Sequence, residues 1–208
     1  MDPSWRNEAH RLWAALATAT PAGQRLARFL ADWPAANERP LPPEPAAPPL
    51  PVLRWLPRIA ADAGGFGAGF VETVCAEAGS LAWRQTYAAG EVGVPFLQNY
   101  GWAELFGAAP APAGGVTQIS CGVLVLGPDT FYPPHRHEAE EIYVPLVGIA
   151  EWQQGDAAWR RRSPGTLIHH SSEEPHAMRT GDQPLLAMYL WRSNDLGQRA
   201  RLDRRRAG

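Results

Sequence analysis

The stretch "FYPPHRHEAEEIYVPLVG", residues 131–148, brings two histidines, three glutamates and two tyrosines together within eighteen positions. Side chains alternate faces along a strand. His135, His137, Glu141 and Tyr143 all carry odd numbers, so an extended segment projects the four to one side. His-x-His followed by Glu offers two nitrogens and one oxygen to a single ion. That set suits one divalent transition metal: Zn, Fe, Mn, Ni or Co. Arg136, Glu138 and Glu140 fall on the opposite face, where solvent satisfies them. A fourth ligand has to come from a neighbouring strand. His176, in "GTLIHHSSEEPHAMRT", stands in a turn-to-strand context after Pro175. Tyr143 lies two residues beyond Glu141 on the same face, where a cation stabilises phenolate. It could bind the ion or act as a base. Tyr132 is a second candidate, but two prolines follow it and its direction cannot be read from alternation. His169 and His170 are adjacent, so only one can face inward, and neither is assigned as a ligand.

Such a site needs a rigid frame. From Val116 the chain reads as short apolar or alternating runs separated by Gly, Pro and Asp: "VTQISCGVLVL", "EEIYVPLVG", "AEWQQG", "GTLIHH" and "PLLAMYLW". That texture predicts an antiparallel barrel or jelly roll. Pro145 cannot donate to a ladder, so an edge or a bulge is expected there. Before the barrel the chain reads as helical. Residues 4–19 carry Trp5, Ala9, Leu12, Trp13 and Leu16 along one face, with Ser4 as cap. A second helix is expected from Pro21, with Leu26, Phe29, Leu30 and Trp33 as its stripe. Residues 34–51 hold eight prolines in eighteen positions and read as an extended linker. "VLRWLPRIAADA" and "FVETVCAEAGSLAWRQTY" again read as helical. The expected organisation is therefore a helical portion over 1–94, a mainly β barrel over 95–196 and a solvated basic tail over 197–208. The helices are expected to cover the barrel or to form a homodimer contact.

The net charge of −2 offers nucleic acid no basic surface. All nineteen basic residues are arginine, which removes Schiff-base chemistry on lysine. Two cysteines in unrelated contexts do not make a disulfide framework. No signal peptide is visible and no apolar run approaches a membrane span, so a soluble, cytoplasmic protein is expected.

The spacing of Gly127, His135, His137, Glu141 and Gly148 resembles the first motif of the cupin superfamily. Its lead-in of seven residues is slightly longer than usual. Gly165 and His176 match the second motif in register, while Ser171, Glu173 and Thr180 replace its Pro, Gly and Asn. The resemblance implies a cupin β-barrel with His135, His137, Glu141 and His176 on the metal. "YPPHRHEAEEIY", "EPHAMRT" and "PLLAMYLWRSNDL" further resemble the cupin-type dimethylsulfoniopropionate (DMSP) lyases of the DddQ and DddL type, over roughly residues 95–196. Members of that group bind a divalent metal and cleave the substrate into dimethyl sulfide and acrylate. By position, the resemblance implies Tyr143 and Tyr132 as candidate bases and Trp191 near the substrate. Tyr189 and Trp102 join Trp191 as candidates to hold a sulfonium by cation–π attraction. Pro145 departs from the group's pattern. Two other classes share the same ligands: a metal-dependent sugar isomerase or dioxygenase, and a non-catalytic cupin that binds a small molecule.

Overall fold

A computed structural model describes residues 4–19, 23–33, 49–107 and 118–203. Two helices lead, α1 (Ser4–Ala19) and α2 (Gly23–Ala31). A 3-10 turn over Pro51–Trp55 runs into α3 (Leu56–Ala61), followed by α4 (Ala68–Ala76). Strand β1 (Trp83–Arg84), the short helices α5 (Ala89–Val92) and α6 (Val94–Leu97), and β2 (Tyr100–Phe106) come next. The barrel continues with β3 (Gln118–Leu126), β4 (Phe131–Arg136), β5 (Glu140–Val147), β6 (Ala150–Gln154) and β7 (Arg160–Arg162). It closes with β8 (Ile168–His170), β9 (His176–Thr180), β10 (Leu185–Ser193) and β11 (Arg201–Leu202). The first sheet has the order β1-β2-β3-β10-β5-β8 and the second β11-β4-β9-β6-β7, with every pairing antiparallel. This is the cupin-type barrel preceded by helices that the motifs implied.

Every residue of β3 is buried, and so is nearly all of β10 and β5. An antiparallel sheet with one wet face would alternate. These strands do not, because the helices cover their outer face. Trp13 and Phe29 pack in one core with Val123, Val144, Met188 and Leu190. The Trp13 indole N–H points at Cys121 Sγ, 3.4 Å away. Covering the barrel is thus the first of the two uses expected of the helices. A second core lies between the sheets, built from Leu124, Leu126, Trp152, Met178 and Ala187 among others. No helix among the described residues is long and apolar enough to cross a membrane.

Five readings are corrected. Helix α4 stops at Ala76, and the run read as its continuation instead forms a 3-10 turn and then β1. Trp83 and Arg84 pair with Ala103 and Trp102, so the first sheet begins before residue 95. The segment 131–143 is not one strand: β4 and β5 belong to opposite sheets and residues 137–139 turn between them. The face read as solvated is tied by ion pairs, with Glu140 2.7 Å from His169 Nε2 and Arg136 3.0 Å from Asp203. The end read as a solvated tail returns as β11 beside β4, because Arg201 and Leu202 pair with Arg136 and His135. Pro145 sits where an irregularity was expected: the β5–β10 register shifts between the pairs Pro145–Ala187 and Val147–Leu186. The readings of Pro21, of Trp5's side chain, and of the linker from 34 to 48 fall outside the described residues.

Candidate metal centre and its cavity

His137, Glu141 and His176 are each buried, and one donor atom from each lies within 4.8 Å of the others. Glu141 comes from β5 in the first sheet, His176 from β9 in the second and His137 from the turn between β4 and β5. The site therefore forms only when the sheets close on each other. Glu141 Oε2 is 3.1 Å from His137 Nε2 and 3.3 Å from His176 Nε2. Metal–ligand bonds of about 2.0–2.2 Å, at octahedral to tetrahedral angles, put neighbouring donors about 2.8–3.6 Å apart. Both distances fit. His176 Nε2 is buried and makes no hydrogen bond, as a donor reserved for an ion would be.

The tautomers are set by backbone carbonyls. Nδ1 of His135 lies 2.9 Å from Pro133 O, that of His137 2.8 Å from Ala139 O, and that of His176 2.9 Å from Glu174 O. A carbonyl only accepts, so each Nδ1 carries its proton, and in a neutral ring the Nε2 lone pair is left for a ligand. His135 shares this arrangement and pairs across the ladder with His176, their ring centroids 4.1 Å apart. It stands beside the three-donor cluster rather than within it.

Without an ion, burial opposes charge here and the partners decide. Burial alone would raise Glu141, but neighbouring His137 and His176 hold its carboxyl well below the usual range. Burial would lower His137, yet Glu141 draws it above its ordinary value. His135 and His170 are held well below theirs by burial.

Tyr143 and Tyr132 both face this space. Cross-strand pairing sets Tyr143 between Tyr189 and Ile168. A bulge at the two prolines answers the question of Tyr132: it pairs with Met178 while His135 pairs with His176. Two residues oppose one, which returns Tyr132 to the inner face. Its ring stacks on His135 at 3.9 Å and its hydroxyl lies 3.2 Å from that of Tyr87. Burial holds both tyrosines well above the usual phenol range, with Glu141 adding to the effect at Tyr143. A bound cation acts in the opposite direction.

A cavity of about 410 Å³ joins these groups to Trp102, Tyr189 and Trp191. Trp191 donates its indole N–H to Glu141 Oε1 at 2.5 Å, and its ring lies 4.4 Å from that of His137. Its first contact is therefore with a candidate ligand. Tyr189 folds down over Gly122, where a Cβ would lie 2.4 Å from the phenol oxygen. Trp102 donates to Thr86 Oγ1 at 3.1 Å, and Arg84 already lies over its ring at 5.7 Å.

Sequence reasoning left His169 and His170 undecided. His170 faces inward, buried and stacked on His176 at 3.9 Å, with neither ring nitrogen hydrogen-bonded. His169 points outward to Glu140 and Arg25. The signal was present: Ile168 faces the core, so alternation along β8 turns residue 170 the same way. Glu104, Ser120 and Arg199 also line the cavity and were missed. Once residues 100–106 are known as a strand, Trp102 and Glu104 share a face; nothing in the sequence pointed to Arg199.

Known proteins resemble the chain on these same elements. A DMSP lyase, DddQ of Ruegeria pomeroyi, is 36% identical over 118 residues, 56% of this chain and 58% of that protein. The crystal structure of DddQ from Ruegeria pomeroyi DSS-3 superposes with a TM-score of 0.73 at 29% identity, covering 97% of both chains. A chain from the crystal structures of the DMSP lyases RdDddP and RnDddQII gives 0.74 at 29% identity, covering 96% of this chain and 98% of that one. The profile of the DMSP lyase family matches residues 35–187, a span that takes in all four candidate ligands and both tyrosines but stops short of Tyr189 and Trp191. By that match, across most of its length, the chain belongs to the dimethylsulfoniopropionate lyase family.

Proposed function

We propose that this chain is a metal-dependent lyase that cleaves DMSP into dimethyl sulfide and acrylate. The observation that carries the reading is one cavity in which the buried His135, His137 and Glu141 meet Tyr132, Tyr143 and the rings of Trp102, Tyr189 and Trp191. His135, His137, Glu141 and His176 would hold the ion. The donor chemistry suits Zn, Fe, Mn, Ni or Co. A divalent ion bound there supplies positive charge against which a substrate carboxylate and the charge developing beside it are stabilised.

The elimination needs a base, a place for the carboxylate and a place for the sulfonium. The α-carbon loses a proton, and the electron pair left behind forms the carbon–carbon double bond. The bond from the β-carbon to sulfur breaks, and sulfur leaves with the pair of electrons from that carbon–sulfur bond as neutral dimethyl sulfide. Tyr143 is assigned as the base, because it shares the inner face of β5 with Glu141. Tyr132, engaged by the Tyr87 hydroxyl, positions substrate or serves as the alternative base. Trp191, Tyr189 and Trp102 hold the sulfonium by cation–π attraction, worth about 0.5–2 kcal/mol per ring.

Phenylalanine at either tyrosine keeps the ring and removes the ionisable oxygen. Metal-loaded Tyr143→Phe should lose about 10²–10⁴-fold in turnover, the usual scale of general-base catalysis, and Tyr132→Phe should lose less. Exchange of the substrate α-proton in heavy water should fall in parallel. Near-normal turnover by Tyr143→Phe with Tyr132→Phe inactive would reverse the two roles. No turnover by the metal-loaded parent chain would remove the reading.

A further inference from the structure

Strand β10 leaves the first sheet at Ser193 and β11 enters the second at Arg201. The residues between them cross the end of the barrel at which the donor cluster lies. Leu196, Gly197, Gln198, Arg199 and Ala200 all line the cavity that holds His137 and Glu141. Contacts tie this crossing at three places. At its start the Asp195 amide donates to Ser193 Oγ at 3.0 Å and the Gly197 amide to Asp195 Oδ1 at 2.9 Å. At its middle Arg199 donates to the Thr86 carbonyl at 3.2 Å and reaches Glu91 at 3.4 Å. At its end Arg201 and Leu202 pair with β4 and Arg201 meets Glu173. There the Asp203 amide donates to Pro134 O at 2.7 Å, and the Asp203 side chain, 5% exposed, meets Arg136 at 3.0 Å.

We propose that residues 194–203 form a latched strap that sets the size limit of the group the cavity accepts: a specificity-determining wall. Most of the remaining wall is the inner face of β2, β3, β5 and β10, strands held by long ladders, and Gln85 and Thr86 beside it are hydrogen-bonded to Tyr100 and Trp102 of β2. The strap is held by a two-residue ladder and a few ion pairs. Its Arg199 side chain is 66% exposed, and exposed pairs of this kind contribute little. It is therefore the wall that yields first to a bulky occupant. Part of the argument rests on the proposed lyase reading, since the natural size series is a set of dialkylsulfonium propionates.

The test uses the full chain and the double variant Arg199→Ala/Asp203→Asn, neither residue belonging to the proposed catalytic set. Turnover of the dimethyl, diethyl and dipropyl sulfonium propionates gives one readout. The dipropyl-to-dimethyl ratio of kcat/KM should rise about tenfold in the variant, the scale on which pockets discriminate added methylenes. Zinc loaded at the donor cluster gives a second readout independent of turnover. A bulky chelator should strip it about tenfold faster from the variant, and a small one at nearly the parent rate. If the parent chain cleaves no sulfonium yet the bulky chelator is accelerated, the strap stands and the substrate reading falls. If the double variant melts early, Arg199→Ala alone repeats both readouts, since it loosens only the middle anchor. Unchanged size ratios in both readouts, in a variant that melts like the parent, would overturn the strap.

Discussion

Replacing Trp191 with Phe keeps an aromatic ring in the cavity and removes the indole N–H hydrogen with the small ring that carries it. That hydrogen is donated to Glu141 Oε1 across 2.5 Å, and Glu141 is fully buried. The other carboxylate oxygen faces His137 and His176. The indole therefore fixes which oxygen remains for an ion. A hydrogen bond to a charged group is worth about 1.5–3 kcal/mol, and leaving a buried acceptor unmet forfeits it. Converted at about 1.4 kcal/mol per tenfold, that is roughly 10- to 150-fold in metal affinity, in line with about 10–100-fold for partners of metal ligands. Competition titration of zinc or cobalt against a calibrated chelator measures it. Trp102→Phe is the control, because its indole N–H goes to Thr86 and not to a carboxylate. Trp191→Phe with an affinity within twofold of the parent, or an equal loss in Trp102→Phe, would refute the reasoning.

Removing a donor should do more than removing its support: His137→Ala and His176→Ala should purify with little metal by elemental analysis, while His169→Ala, whose ring points outward, should keep it. The metal-free chain should be most stable near pH 6.5, the ordinary value for histidine. Below it the lowered His135 and His170 stay neutral in the fold while their unfolded counterparts bind protons, so stability falls with pH by up to about 1.4 kcal/mol per unit for each. Above it the raised His137 loses its proton and its contribution, and stability falls again; thermal melts across pH 5–8.5 without and with zinc check both limbs, and zinc should abolish the alkaline one. Trp13→Ala should cost about 3–5 kcal/mol in a denaturant titration, because it empties a fully buried site between α1 and the first sheet.

The candidate cluster was legible in the sequence because polar side chains stood at inward positions of an apolar frame. His137, Glu141 and His176 are all buried where a bare chain would place hydrophobes. The parity argument reached Tyr143 by a route the fold does not use. It assumed one strand across 131–143, whereas the chain turns at 137–139, and each strand presents its inward side chains to the same cavity from opposite sheets. The bulge at Pro133 and Pro134 could not be read, since alternation fails where two residues oppose one. Strand β1 has two residues and exists only because β2 offers it an edge. Strand β11 lies in a charged run with no apolar pattern, and its structure comes from pairing with β4 and from Asp203 meeting Arg136. Such elements are specified by their partners, not by their own residues.

The measurement that tests the account most directly is headspace dimethyl sulfide together with acrylate in solution, from purified chain loaded with each candidate metal. The account predicts both products in equal amounts, dependent on the ion and abolished in His176→Ala. A chain with full metal occupancy that releases no dimethyl sulfide from DMSP would contradict it.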